Sequence, residues 1–171
     1  GRLLMIDMRK QVYPDIKPTP FLEYIQRHVN RKLYSPDILK KYTEEEITEL
    51  GTFLDYDNDM NRGYASVVQL ESKYLIRDVK DKDILLEMPQ ETFMIIPMVI
   101  FADENANGNG NRMNLVIDFY TALKNDEISL PTPIISGVRT QLKMFSSCCK
   151  IKMGDTAESI LATEYATSLM T

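Results

Sequence analysis

The two thiols of this chain, Cys148 and Cys149, are adjacent. They follow Ser146 and Ser147 in the stretch ISLPTPIISGVRTQLKMFSSCCKIKMGD, Ile128 to Asp155. A cysteine can act as a nucleophile, a hydrogen or electron donor, a metal ligand or a small packing residue. Ile128-Ser129-Leu130 and Lys143 to Ile151 read as two strands, separated by Pro131, Pro133 and a Ser136-Gly137 turn. Alternate residues of a strand face opposite sides, so Cys148 and Cys149 cannot both point into one site. A disulfide between neighbours is disfavoured as well, because their Cβ vectors diverge. Two readings stay open on the residues alone. Either one thiol reacts while its neighbour fills space, or both are packing cysteines, which composition favours because free Cys is among the most buried residues.

Other chemistries fail on spacing. Asp55-Tyr56-Asp57-Asn58-Asp59 begins like a calcium loop, but that loop needs Gly at its sixth position and Glu at its twelfth. Met60 and Ser66 stand there, so a solvated acidic helix start is the better account. The loop around Gly108-Asn109-Gly110 lacks the Gly-Lys-Ser/Thr that would hold a phosphate, and reads as a turn. His28, the only histidine, sits beside Arg27 and Arg31 on an amphipathic helix and reads as a surface or half-buried residue. A Cys148–His28 dyad has no local signature to support it. One histidine and two adjacent thiols also miss tetrahedral zinc spacing, so no metal is expected.

The elements that must position these residues are mostly helical. Leu3 to Lys10 has helical apolar spacing without a capping residue before it. Pro14, Pro18 and Pro20 form a stiff connector. Thr19 can cap a helix carrying Phe21, Tyr24, Ile25 and Val29 on one face, with Pro20 at its first position. Ser35-Pro36 starts a short helix, and Thr43-Glu44-Glu45-Glu46 is a capping box before Ile47, Leu50 and Leu54. Tyr64 to Lys73 reads as a helix. Tyr74 to Arg77 and Ile84 to Glu87, joined by the charged Asp78 to Asp83, read as a hairpin. Glu91 to Phe101 is a strongly apolar helix in which Pro97 predicts a kink or break. A helix with Leu115, Val116, Phe119 and Leu123 follows the Asn105 to Asn111 loop. Asp155 can cap a last helix, with Glu158 three residues on and Ile160, Leu161, Tyr165 and Leu169 along it. Both ends of the pattern suggest a segment of a longer polypeptide.

The 171 residues suit one domain or a piece of a larger one, and 44% hydrophobic residues suffice for a buried core. A net charge of -5 gives no basic footprint for nucleic acid or an anionic membrane. No apolar run reaches the ~18 residues of a membrane span, and Asp7 and Arg9 break the N-terminal apolar run too early for a signal peptide. Two cysteines without a secretory signal point to a reducing compartment, hence a cytoplasmic protein.

The string SLPTPIISGVRT, followed by FSSC and then GD, resembles the large catalytic subunit of class I ribonucleotide reductase. Further blocks follow that family in order: Met8 to Tyr13, Tyr42 to Glu46, Phe53 to Met60 and Gln69 to Leu75. Together they cover essentially the whole chain. The variety is similar to the aerobic cellular and phage enzymes, which reduce ribonucleoside diphosphates to deoxyribonucleotides by thiyl-radical chemistry. The resemblance implies a mixed α/β fold: a mostly helical N-terminal region with one β-hairpin, then the first strands of a ten-stranded α/β barrel. Residues 1–13 would be the last helix of an ATP-binding module, 14–125 the helical domain and 126–171 the start of the barrel.

It also implies roles. Cys148 takes the position of the redox-active thiol that reduces the 2′ carbon and ends in a disulfide with a second cysteine far along the chain. Thr132 and Ser147, with Cys148, match substrate-binding positions. Asp155, Thr156 and Ala157 sit where the family binds its deoxynucleotide specificity effector. Cys149 stands where valine is usual, which supports a packing role for it. Gln141 and Met144 replace the usual Pro and Gln, a departure in the intervening loop. The family's radical cysteine, its Asn and Glu partners, the second redox cysteine and the C-terminal thiol pair have no counterpart here. No cofactor belongs to this chain; the family uses a di-iron tyrosyl-radical small subunit, with ATP and deoxynucleoside triphosphates as effectors. Implied partners are the nucleotide substrate, the remainder of the large subunit, the small subunit, a second large subunit in a homodimer, and thioredoxin or glutaredoxin as reductant. The competing reading is a non-catalytic remnant or split-gene half that only binds a complementary chain.

Overall fold

In the computed structural model, which describes residues 1–13, 15–104, 111–142, 144–148 and 150–170, the other elements gather around one apolar helix. That helix runs PQETFMIIPMVI, Pro89–Ile100, and ten of its twelve residues are buried. A helix apolar on nearly every side is stable only when surrounded, and this one is. The order along the chain is α1 (Arg2–Val12), α2 (Phe21–Asn30), α3 (Asp37–Lys41), α4 (Glu44–Gly51), a 3-10 turn (Asn58–Asn61), α5 (Tyr64–Gln69), a π turn (Leu70–Tyr74), α6 (Pro89–Ile100), α7 (Arg112–Lys124), α8 (Thr132–Gly137) and α9 (Ala157–Met170). Helix α7 lies along α6, α2 packs on α4, and α1 rests on the 3-10 turn and α5. Gly51 makes the α2–α4 approach close: a Cβ there would stand 2.8 Å from the Phe21 Cβ.

Several expectations hold at the level of single bonds. Thr43 accepts from the Glu46 N–H at 3.2 Å while the Glu46 carboxylate accepts from the Thr43 N–H at 2.9 Å, the reciprocal capping box. Ser35 Oγ accepts from the Asp37 N–H at 3.4 Å and so starts α3. Thr19 does not cap α2; Pro20 occupies that position without a side-chain bond. Helix α6 continues past Pro97 to Ile100 rather than breaking there. The Tyr64–Lys73 helix is divided, its second half widening into the π turn. Pro14 of the connector and the Asn105 to Gly110 part of the loop lie outside the described residues.

The β elements are corrections. Among the described residues there is no strand, only an isolated antiparallel bridge between Arg77 and Leu85. Two backbone bonds of 2.9 Å flank it, Asp78 N–H to Ile84 O and Leu86 N–H to Ile76 O. The next rung of the expected hairpin would join the Ile76 N–H to the Leu86 carbonyl. Both groups are taken by side chains instead. Glu87 Oε2 accepts from the Ile76 N–H at 2.6 Å, and His28 Nε2 lies 2.9 Å from the Leu86 oxygen. The two expected barrel strands, Ile128 to Leu130 and Lys143 to Ile151, are also absent among the described residues. Residues 132–137 are helical, and the described residues on either side find no neighbouring strand with which to form a ladder. The mixed α/β expectation thus gives way to a mostly helical body.

Burial overturns two further expectations. His28 is buried rather than half-exposed, because it falls on the Phe21, Tyr24, Ile25 face of α2. Its ring stacks on Tyr34 at 4.8 Å, and burial lowers its pKa. Asp59, read as part of a solvated acidic segment, is buried too.

Asp59 accepts from Gln90 Nε2 at 2.6 Å, and Tyr120 donates to Gln90 Oε1 at 2.5 Å. Beside this chain of bonds, Glu91 accepts from the Tyr13 and Tyr56 hydroxyls. Arg62, 3.4 Å from Asp59, and Arg9 moderate the cluster without neutralising it. Asp59 Oδ2 and Glu91 Oε2 have no protein partner. Desolvation, with Asp59's charge adding to it, raises the Glu91 carboxyl from 4.5 to about 7, and desolvation raises Asp59 from 3.8 to about 6. Between the ordinary and the raised value, folded Glu91 holds a proton that the unfolded chain releases. Stability therefore falls as pH rises through that window and levels off above it. Glu91→Gln should remove about 3 kcal/mol of that fall. Urea unfolding of both proteins from pH 4.5 to 8 measures it; the His28 contribution, opposite in sign, cancels in the difference. Parallel curves would show that Glu91 is ionised throughout.

Candidate functional site

The SLPTPIISGVRT segment is anchored by a residue that composition would place outside. Arg139 is fully buried, as is its partner Glu87 at the start of the turn into α6. Nε donates to Glu87 Oε1 at 2.7 Å and Nη2 to Oε2 at 2.5 Å, a two-pronged pair. Nη2 also donates to the Tyr74 carbonyl at 2.7 Å, and Nη1 to the Ile135 carbonyl. The carboxylate is completed by the Tyr34 hydroxyl at 2.6 Å and the Ile76 N–H at 2.6 Å. Burial alone would raise Glu87, but the Arg139 charge and these donors hold it below the ordinary carboxylate value. Burial likewise opposes the charge on Arg139, and Glu87 holds it on. Neither residue is marked by sequence spacing. The available signal was one charge in each of two apolar strings, LLEMP and SGVRT, of opposite sign.

Around that anchor the candidate residues lie on the surface. Thr132 opens α8 and is exposed. Ile135, Gly137, Val138 and Arg139 turn inward, and the chain leaves α8 through Thr140, whose hydroxyl donates to the Gly137 carbonyl at 2.8 Å and accepts from the Leu142 N–H at 3.1 Å. Leu142 and Phe145 then lie over Gly137, within 3.9 Å of where its Cβ would be. Three residues further on, Cys148 is exposed and free, with Ser147 Oγ 3.9 Å from its sulfur. Ser147 and Cys148 are thus together, whereas no hydrogen bond joins either to Thr132. Cys149 and Lys143 lie outside the described residues, so the strand argument about the two thiols is not carried by the structure.

Asp155, Thr156 and Ala157 are exposed at the start of α9, and the cap there is not the expected one. Thr156 Oγ1 accepts from the Ser159 N–H at 3.2 Å, while Ser159 Oγ accepts from the Gly154 N–H at 2.7 Å. The cap is shifted one residue along, because the Thr156 hydroxyl reaches the Ser159 N–H directly, and the box is not reciprocal, since Ser159 Oγ bonds the Gly154 N–H rather than that of Thr156. Asp155 is left out of it. Among the described residues, no group of three or more His, Cys, Asp or Glu side chains is placed to hold a metal ion. No described helix is long and apolar enough to cross a membrane.

A helical body with an FSSC segment laid against it matches known proteins along its length. Residues 60–143 match the family described as "Ribonucleotide reductase, all-alpha domain". The chain belongs to the ribonucleotide reductase family, on the side of its large, or alpha, subunits. It is 42% identical over 160 residues to the ribonucleoside-diphosphate reductase subunit alpha of Enterobacteria phage T4, covering 94% of this chain and 21% of that protein. It is 38% identical over 166 residues to ribonucleoside-diphosphate reductase 1 subunit alpha of Escherichia coli (strain K12), covering 97% and 21% respectively. The Synechocystis sp. subunit alpha is 30% identical over 140 residues, or 82% of this chain and 17% of that protein. The chain therefore spans about a fifth of the length of these curated relatives.

The shifted cap can be tested. Thr156→Ala should speed amide exchange at Ser159 and Ile160 several-fold, the equivalent of about 1 kcal/mol of lost capping. Asp155→Ala should leave those amides nearly unchanged. The reverse ranking would restore Asp155 as the cap.

Proposed function

We propose that this chain contributes the substrate-side redox thiol, and the surface that carries it, to reduction of ribonucleoside diphosphates by a ribonucleotide reductase large subunit. The observation that supports this most is the conjunction of an alpha-subunit sequence along the chain with an exposed, unpaired Cys148. Reduction at the 2′ carbon replaces a C–OH by C–H and releases water. Two thiols supply the two electrons and two hydrogens and end as a disulfide. Cys148 would be one of them, the other lying outside these 171 residues. Thr132 and Ser147 would offer hydroxyls to phosphate and ribose oxygens. The radical needed to open the reaction would come from a small subunit with a di-iron tyrosyl centre, and the disulfide would be reduced by thioredoxin or glutaredoxin.

In this reading residues 1–13 end an ATP-binding module, 14–125 form the helical domain, and 126–171 enter the α/β barrel once its further strands are supplied. That accounts for the apolar residues left in the open: Leu142, Met144, Phe145 and Met153, with Ile160, Leu161, Tyr165 and Leu169 along α9, are all exposed. They would be covered by the remainder of the subunit and by a second large subunit. Asp155, Thr156 and Ala157 would then meet the deoxynucleotide effector at that contact, where the free Asp155 carboxylate can accept from a ribose hydroxyl or base. A cytoplasmic location follows from thiol chemistry that needs a reducing compartment.

Alone, the 171-residue chain should reduce no ribonucleotide, even with a small subunit and a dithiol present. In a completed subunit, Cys148→Ser should abolish reduction, because a hydroxyl cannot cycle through a disulfide. Cys149→Val should retain most activity, since a volume-similar change costs less than ~1.5 kcal/mol. Assay of deoxyribonucleotide formation decides it. Equal loss in both variants would favour a structural pair of thiols, and a chain that merely binds its complement.

A further inference from the structure

Three buried or exposed features invite a role beyond that reading: the Asp59–Glu91 cluster, the apolar face of α9, and the Glu87–Arg139 pair. The third is carried furthest by geometry. We infer that Arg139 is a positioning residue: its guanidinium, clamped by Glu87, sets where the Thr132 and Ser147–Cys148 ends of the site segment stand relative to the helical body. This rests on the functional reading above, which supplies the reason those ends matter.

The segment from Ile128 to Cys148 is exposed or half-exposed along most of its length, and among its described residues only Ile135 and Gly137 to Arg139 are buried. Apart from one long bond, Gln141 Nε2 to the Lys32 carbonyl at 3.5 Å, its polar attachments to the body among the described residues converge on one residue. The Arg139 carbonyl accepts from the Ser35 N–H at 2.9 Å, and its side chain takes both Glu87 oxygens and the Tyr74 carbonyl. The third target is the end of the π turn, where the wider helical turn leaves a carbonyl free to be reached. The fourth, the Ile135 carbonyl, belongs to α8 itself, so the same guanidinium fixes the helix that begins at Thr132. A planar fork with donors on both edges can make these bonds at once; a lysine ammonium cannot. Thr132 lies seven residues before the anchor, and Cys148 nine after it, on a chain that Thr140 turns back over Gly137. Displacing the anchor moves both.

The test is amide hydrogen exchange on the 171-residue chain, following residues 132–142 with α2 and α6 as internal reference. Arg139→Lys should speed exchange in 132–142 by about tenfold or more while α2 and α6 change less than about twofold, a local opening. An equal rise everywhere would reduce the pair to ordinary core, and no rise would leave the Ser35 backbone bond and apolar packing as the anchor. Either overturns the inference. If Arg139→Lys does not fold, the charge-free pair Glu87→Gln with Arg139→Met serves. It should fold with 132–142 loosened, and full protection there would overturn the inference. In a completed subunit, Arg139→Lys should raise KM for a nucleoside diphosphate. Unchanged KM with fewer active molecules is the mark of a merely structural role and also overturns it. Exchange reads the tether without nucleotide, so failure of the functional reading shows separately, as absence of reduction by the unaltered enzyme.

Discussion

A carboxylate and a guanidinium with no access to water stay charged only if each replaces its whole hydration shell with fixed partners. Glu87 does so with four donors, from Arg139, Tyr34 and the Ile76 N–H; Arg139 does so with Glu87 and two carbonyls. That requirement organises much of the surrounding structure. It withdraws the Ile76 N–H from a ladder, so the bridge at Arg77 and Leu85 does not lengthen into a hairpin. It calls on a wide turn ending at Tyr74 to present a carbonyl, and brings Tyr34 inward from the α2–α3 connection. Replacing such a pair by apolar residues can be neutral, but removing one partner leaves a buried charge at a cost of about 3–5 kcal/mol. The two residues are therefore constrained jointly although 52 positions apart.

The second polar cluster follows opposite logic. Asp59 and Glu91 have two arginines nearby but no two-pronged partner, and each keeps an oxygen without a protein donor. Desolvation then wins over attraction, and both carboxyls are pushed up where Glu87 is held down. Three buried acids in one small body thus shift in opposite directions, because Glu87 faces a buried guanidinium across two bonds while Asp59 and Glu91 face none so placed.

The helices were legible in the sequence because their determinants are local: the Thr43–Glu46 box, the apolar spacing of α2 and α7, the density of apolar residues in α6. What was not legible was set across distance. Ile84 to Glu87 has strand composition, yet its rung is claimed by His28 and Glu87, 58 and 11 residues from their targets. His28 and Asp59 look solvated by type and are buried by position. The site showed the same division. SLPTPI, FSSC and GD marked the stretch carrying Thr132, Cys148 and Asp155, but the cap at Thr156 depends on a one-residue shift that side-chain reach decides. The Arg139 anchor needed the fold to bring Glu87 to it.

The bond from Tyr13 to Glu91 joins residues 78 apart. Helix α1 offers Met5, Met8 and Val12 to a core whose central helix is among the later elements of the body to be made. On a ribosome adding about 5–20 residues per second, α1 would wait roughly 4–16 s between its own synthesis and the arrival of Glu91. Eleven helical residues on their own are marginal in water, so α1 gains its stability from what it packs on. Its packing partners, the 3-10 turn and α5, follow it in synthesis, and the Tyr13–Glu91 bond closes only when α6 is made.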